Sequence, residues 1–216
     1  MIIDKKQVLM FYGWSDDPKI DECAHKAYID LCRTLKFSKS DSDLKRESKQ
    51  NKDEYISQKK KFRDDVDNYI IGQIETLLEA PHADFEEWHE KTCDEIIEKA
   101  KESKLFKESE KNESMFYYGQ AQKWLNMTLK NMMIAGVESD RFVNIEQHLH
   151  IPMDAFILQI ASQWGVKSPK NLPWSKWDKT AYLAIQRKLQ DSIKAKYPLE
   201  TPLEWEFMAW INERDK

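Results

Sequence analysis

Two lysines and one aspartate have residue types and spacing that could support covalent chemistry. Lys123 and Lys130 lie seven residues apart on one predicted helix, close to two helical turns, so their side chains share a face. Asp154 follows Ile151-Pro152-Met153 and opens the next apolar helix. A lysine amine of lowered pKa is a nucleophile, and an aspartate can activate it or stabilise positive charge that develops during a reaction.

The same residues also have an ordinary structural interpretation. Asp154 has the residue type and the position of a helix N-cap, which contributes about 1 kcal/mol to stability. Lys123 lies off the apolar stripe of its helix, where a lysine ordinarily contacts water. The residues alone leave both interpretations open.

The composition of the 216-residue chain indicates a folded helical protein. Hydrophobic residues make up 41% and aromatic residues 12%, whereas disordered chains are poor in aromatic residues. Five glycines and seven prolines are too few for the turns of a many-stranded sheet. The 34 basic residues against 38 acidic ones give a formal charge of −4, which excludes an overall basic field for nucleic acid or anionic membrane.

Cysteine usage and the N-terminus predict a cytoplasmic protein with reduced thiols. Cys23, Cys32 and Cys93 form no CxxC pair, and the N-terminus reaches charged residues after two apolar ones. Cys23 and Cys32 are separated by about 13 Å along one predicted helix, too far for a disulfide. We predict no metal, no cofactor and no membrane span, since zinc-ligand spacing, a glycine-rich phosphate loop and a run of about 18 apolar residues are missing.

Hydrophobic periodicity predicts an all-α fold of about seven or eight helices. The predicted helices cover residues 16–37, 64–79, 84–104, 114–133, 154–164 and 176–196, with a last helix that starts at Pro202. Residues 38–67 mix basic and acidic side chains and predict an exposed loop that leads into a solvated helix. An alternative is that the basic run 59–63 contacts phosphate.

Residues 116–166 resemble the helix-hairpin-helix DNA glycosylase superfamily, nearest its archaeal oxoguanine DNA glycosylase branch. The resemblance rests on the turn Tyr118-Gly119-Gln120-Ala121 before Lys123, a second lysine seven residues later, and the IPxD motif that ends at Asp154. It covers about 50 of the 216 residues. Gly119 is the only glycine of the hairpin, and Phe156 stands where the family usually has a basic residue.

The resemblance implies a two-lobed bundle, with one lobe at about 38–135 and the other formed by 1–37 and 136–216. It implies a base-excision glycosylase/lyase that acts on a modified or damaged base flipped out of double-stranded DNA. Lys123 would form a Schiff base with the sugar, and Asp154 would stabilise the cationic sugar. The implied DNA contacts are Gly119, Gln120, Gln122 and Lys130. The implied base pocket consists of Tyr117, Trp124, Trp164 and Trp174.

Two functions of other classes are the alternatives. A non-enzymatic helical binding protein of a bacterium, phage or mobile element would contact a partner through the charged segment 38–67 and would have no catalytic site. A helical structural protein would form oligomers through its aromatic C-terminal helix, residues 202–211.

Overall fold

The computed structural model describes residues 5–80, 84–108, 114–169 and 172–214. This part of the chain is all-helical, as predicted, and contains ten α-helices, eight of them with seven or more residues. Isolated β-bridges, Phe37 with Phe106 and Glu108 with Ser114, are the only β-structure in these ranges. The helices are α1 Lys5–Tyr12, α2 Ile20–Cys32, α3 Asp41–Leu44, α4 Lys49–Glu79, α5 Phe85–Ser103, α6 Tyr118–Ala135, α7 Ser139–Phe142, α8 Ala155–Gln163, α9 Lys179–Lys196 and α10 Pro202–Arg214.

Helix α6 runs through the centre of the molecule. Sixteen of its 18 residues are buried, polar ones included. It packs against α1, α2, α5 and α9 and against a 3₁₀ turn at Trp174–Lys176. At its C-terminus Gly136 adopts a left-handed conformation, φ 67°, which confirms the predicted stop. Because α6 is surrounded on all sides, its polar side chains need partners, which are found inside the helix for Thr128 and Gln122 and on other elements for the asparagines and lysines.

Helix α4 begins at Lys49, well before the predicted start at Asp64, so much of the predicted loop is helical. The Ser48 side chain accepts a hydrogen bond from Asn51 N and caps the helix. The first turns are rich in lysine, glutamate and glutamine, which favour helices without an apolar stripe. Only Tyr55 and Phe62 are buried in this part of α4, and two residues seven apart leave little periodicity to detect.

The buried hydrophobic residues form one cluster that draws side chains from both predicted lobes. The division of the chain into two lobes therefore stays a prediction. Cys23, Cys32 and Cys93 are free, so the prediction that Cys23 and Cys32 are not linked is confirmed. No helix in the described ranges is both long enough and apolar enough to cross a membrane.

Close packing at Gly119 joins the start of α6 to the turn at Trp174. Gly119 N donates to Trp177 O at 3.0 Å. A Cβ atom added at Gly119 would lie 1.9 Å from the backbone oxygen of Trp174. Only glycine lets the two backbones approach this closely. Lys123 follows one helical turn later, so this contact also sets the distance from Trp174 to Lys123.

We predict that Gly119→Ala destabilises the protein by about 1–3 kcal/mol, because the added methyl group overlaps a backbone oxygen that cannot move without displacing the turn. Gly72→Ala is the matched control, since Gly72 lies inside α4 with no atom within 4 Å of its Cβ position. That variant should gain about 0.5–1 kcal/mol from helix propensity. Urea denaturation of both variants measures the difference, and equal effects would contradict the packing described here.

Candidate active site

Lys123 and Asp154 form an ion pair between α6 and the N-terminus of α8. Lys123 Nζ lies 2.9 Å from Asp154 Oδ2, and a longer contact of 3.5 Å joins it to Pro152 O. The structure thus brings together the two residues to which the resemblance assigns parts in one reaction. The expectation that Lys123 is an exposed lysine is wrong, because its side chain is only 7% exposed. The N-terminus of α8 and the turn at Trp174 cover a side of α6 that lies off its apolar stripe.

Asp154 has both of the roles that the sequence left open. Its Oδ1 accepts a hydrogen bond from Ile157 N at 2.9 Å and caps α8, while Oδ2 accepts from Lys123. Ile151 and Met153, on either side of Pro152, are fully buried. Pro152 restricts the backbone and so fixes the path of the chain into the helix. The carboxylate is therefore held by two donors, the backbone amide of Ile157 and the amine of Lys123.

The ion pair lies in the wall of an open cavity of about 880 Å³. Residues from α1, α2, α6, α8 and α10 line this cavity, together with Trp174. The ring centre of Trp174 lies 5.8 Å from Lys123 Nζ. Twelve of the 19 lining residues are apolar or aromatic. The cavity thus combines the amine of an ion-paired lysine with walls suited to a flat apolar group.

A second ion pair lies further along the same cavity. Lys130 Nζ lies 2.8 Å from Oε1 and 2.6 Å from Oε2 of Glu206 on α10. The Glu206 side chain is fully buried, and that burial raises the pKa of its carboxyl, although the Lys130 ammonium acts in the opposite direction. The charge of Lys130 is therefore balanced by its own acid.

Of the four predicted DNA contacts, only Lys130 lines the cavity. Gly119, Gln120 and Gln122 are buried. Gln120 Nε2 donates to Thr34 O, and Gln122 Nε2 donates to Gly119 O. The Gln120 bond ties α6 to Thr34, the Gln122 bond stays within α6, and none of the three residues is positioned to contact DNA in this structure.

Of the four predicted base-pocket residues, only Trp174 lines the cavity. Trp124 is fully buried in the core, and its Nε1 donates to Asp67 Oδ1 at 3.0 Å. Trp164 packs against Trp205, with ring centres 5.0 Å apart. Tyr117 precedes α6, and its backbone N–H donates to Gln120. The other cavity aromatics come from elements that the sequence did not link to Lys123.

Sequence reasoning missed Glu206 and the aromatic residues around it. Glu206 is the single acid in the aromatic and apolar run Trp205–Trp210. An isolated acid in such a run is a signal for a buried ion pair, because a charge is rarely buried without a partner. Phe11 and Arg33, which also line the cavity, carry no such signal.

Among the described residues, no group of three or more histidine, cysteine, aspartate or glutamate side chains is arranged to hold a metal ion. Comparison of the chain with protein-family models, with curated proteins and with solved structures finds no match. The resemblance of residues 116–166 to the helix-hairpin-helix glycosylases therefore stays a prediction.

Asp67, whose carboxyl accepts the hydrogen bond from Trp124, makes the stability of the protein depend on pH. Burial raises the pKa of the Asp67 carboxyl from 3.8 to about 7, although the hydrogen bond from Trp124 lowers it. Below about pH 4 this carboxyl is protonated in both the folded and the unfolded chain. Between about pH 4 and pH 7 only the unfolded chain loses the proton, so the free energy of unfolding falls as the pH rises through this window.

We predict that Asp67→Asn is more stable than the wild type at pH 8, on the order of 2–4 kcal/mol, and about equally stable at pH 4. The asparagine oxygen still accepts from Trp124 and carries no proton-linked charge. Urea denaturation at the two pH values measures this, with the exposed Asp53→Asn as control. The same stability difference at both pH values would show that Asp67 does not bind a proton on folding.

Proposed function

We propose that this protein is a Schiff-base-forming DNA glycosylase/lyase that uses Lys123 as nucleophile and Asp154 as the acid–base and electrostatic partner. The observation that carries the proposal is the 2.9 Å contact between Lys123 Nζ and Asp154 Oδ2 in the wall of a cavity lined by aromatic side chains. The sequence resemblance of residues 116–166 supports the same chemistry.

In the proposed first step, Asp154 accepts a proton from Lys123, and the freed electron pair of Nζ attacks the sugar carbon C1′. The bond from C1′ to the base breaks, and its electron pair leaves with the base, which takes the proton from Asp154. The ionised carboxylate then stabilises the cationic nitrogen. A proton moves from this nitrogen to the ring oxygen as the ring opens, which gives the protonated Schiff base.

The surroundings of Lys123 support recognition of a flipped base. The ring of Trp174 lies beside the amine and offers a flat face on which a base can stack. Lys123, Lys130 and Arg33 line the cavity together with two acids, Asp30 and Asp154. The charges of the two lysines are balanced locally, since Asp154 faces Lys123 and Glu206 faces Lys130. The support for base recognition therefore comes from the aromatic ring beside the amine and not from an excess of positive charge.

A binding protein without catalysis is the second candidate, favoured by apolar side chains exposed at the cavity rim. Phe11 is 77% exposed and the adjacent Met10 is 72% exposed. The oligomer prediction for the C-terminal helix has less support, since Trp205 is buried and Trp210 packs on Phe156 within the same chain. Covalent trapping distinguishes an enzyme from a binding protein.

We predict that borohydride traps the wild type on duplex DNA containing an abasic aldehyde, and that Lys123→Gln abolishes this trapping because no amine remains at the site. Asp154→Asn should lower the trapping rate about 10²–10⁴-fold, the usual range for loss of general acid–base catalysis. The asparagine oxygen can still accept from Ile157 N, so the cap of α8 is retained. The assay follows the covalent complex on a denaturing gel.

Lys179→Gln is the control for this experiment. Lys179 is also ion-paired, with Asp94 and Glu90, but it does not line the cavity. This variant should trap at the wild-type rate. Absence of trapping by the wild type, or an unchanged rate in Lys123→Gln with an intact circular dichroism spectrum, would contradict the proposed function.

A further inference from the structure

The cavity is larger than the single flipped base that the proposed chemistry requires. Its volume of about 880 Å³ lies near the upper end of the range in which pockets enclose drug-sized ligands. From Lys123 the cavity follows α6 past Met127 and Lys130 to Ile134. The distance along the helix axis from Lys123 to Ile134 is about 16 Å. A single flipped base at Lys123 would fill only one end of this length.

Two tryptophans divide the cavity into two binding positions. Trp174 lies 5.8 Å from the amine of Lys123, and Trp210 lies 5.8 Å from the amine of Lys130. Seven residues separate the two lysines, about 10 Å along the helix axis. Trp210 also packs on Phe156, with ring centres 4.2 Å apart, so the second position is itself walled by aromatic rings.

The polar groups of the second position are already paired. Both carboxylate oxygens of Glu206 contact the Lys130 ammonium, and Asn131 Nδ2 donates to Cys23 O. The remaining wall there comes from the apolar side chains Met127, Ile134, Phe207 and Ile211. A ligand group in this position gains mainly by burying apolar area.

We infer that the substrate is a DNA base that carries a bulky apolar, ring-containing substituent, with the base stacked at Trp174 and the substituent buried at Trp210. This inference rests on the proposed function and adds the class of substrate to it. A small modification would leave the second position empty, and the apolar contact there would be lost. Discrimination then comes from the size of the substituent and its hydrophobic burial.

The test compares release of N7-benzylguanine and N7-methylguanine from otherwise identical duplexes, each corrected for spontaneous loss. Both bases carry a positive charge and leave as neutral molecules with the bonding electron pair. The wild type should release the benzyl base at least about tenfold faster, which corresponds to about 1.4 kcal/mol of additional transition-state binding. Trapping on abasic DNA, which places no base in the cavity, is measured in parallel.

Ile134→Trp should remove the preference for the benzyl base, because the larger side chain fills the second position, while trapping on abasic DNA stays at the wild-type rate. Ile211→Trp is a second blocking variant in the wall of the same position, where Ile211 is 38% exposed and a larger side chain is easier to accommodate. Leu199→Trp, at a residue that is 95% exposed and outside the cavity, is the matched control and should keep the preference.

The outcomes separate the inference from the proposed function. Equal release of the two bases, or a tenfold preference that survives both blocking variants, overturns the inference while trapping on abasic DNA upholds the Schiff-base chemistry. Failure of the wild type to be trapped on abasic DNA overturns the proposed function, and the substrate class with it.

Discussion

The structure depends on the burial of a polar helix. Helix α6 contains glutamine, asparagine, threonine and two lysines, yet nearly all of it is inaccessible to water. An unpaired buried polar group costs about 1–3 kcal/mol, and an unpaired buried charge costs more. The surrounding elements therefore supply partners for the two asparagines and the two lysines. Cys23 O on α2 accepts from Asn131, His89 on α5 and Tyr182 on α9 bond Asn126, and α8 and α10 supply the two carboxylates.

The two ion pairs of α6 differ in the solvent exposure of their acids. The Glu206 side chain has no solvent exposure, and its two oxygens face one ammonium, so the pair fixes α10 against α6. The Asp154 side chain is 17% exposed at the cavity wall, and one of its oxygens serves the α8 cap. Breaking a buried pair is strongly destabilising. The Lys130–Glu206 pair thus holds the framework, while the Lys123–Asp154 pair is the one whose acid is partly open to the cavity.

The position of Trp174 beside Lys123 depends on backbone contacts that the pattern of residue types in the sequence does not reveal. Gly119 allows the turn at Trp174 to lie against α6, and a hydrogen bond to Trp177 O fixes it there. In the sequence, Gly119 appeared as a candidate DNA contact beside the lysine. Its role in the structure is steric, and it positions an aromatic ring that comes from more than fifty residues later in the chain.

The sequence predicts well those features that depend on local periodicity. The apolar stripes give the limits of α5, α8 and α9 to within a few residues, and Asp154 is predictable as a cap from the proline-containing segment before it. The start of α4 is missed because its first turns are stabilised by helix propensity and bury few apolar residues. The proximity of Lys123 and Asp154 is what the resemblance of residues 116–166 to the glycosylase motifs implies, and local periodicity does not predict it.

The partner of Lys130 is harder to predict, because Glu206 is 76 residues away and belongs to a helix whose packing no local pattern encodes. The same limit applies to the cavity. Its walls come from five helices that meet only in the folded chain, so neither its size nor its aromatic lining is visible in any one segment.

The proposed chemistry requires that the amine of Lys123 forms an imine with a carbonyl compound more readily than the amines of exposed lysines do. The direct measurement is reductive trapping of the whole protein with benzaldehyde and cyanoborohydride at low stoichiometry, followed by peptide mapping by mass spectrometry. We predict that the first benzyl adduct forms on Lys123 and that Asp154→Asn slows formation of this adduct. An adduct spread over exposed lysines, with Lys123 unmodified, would contradict it.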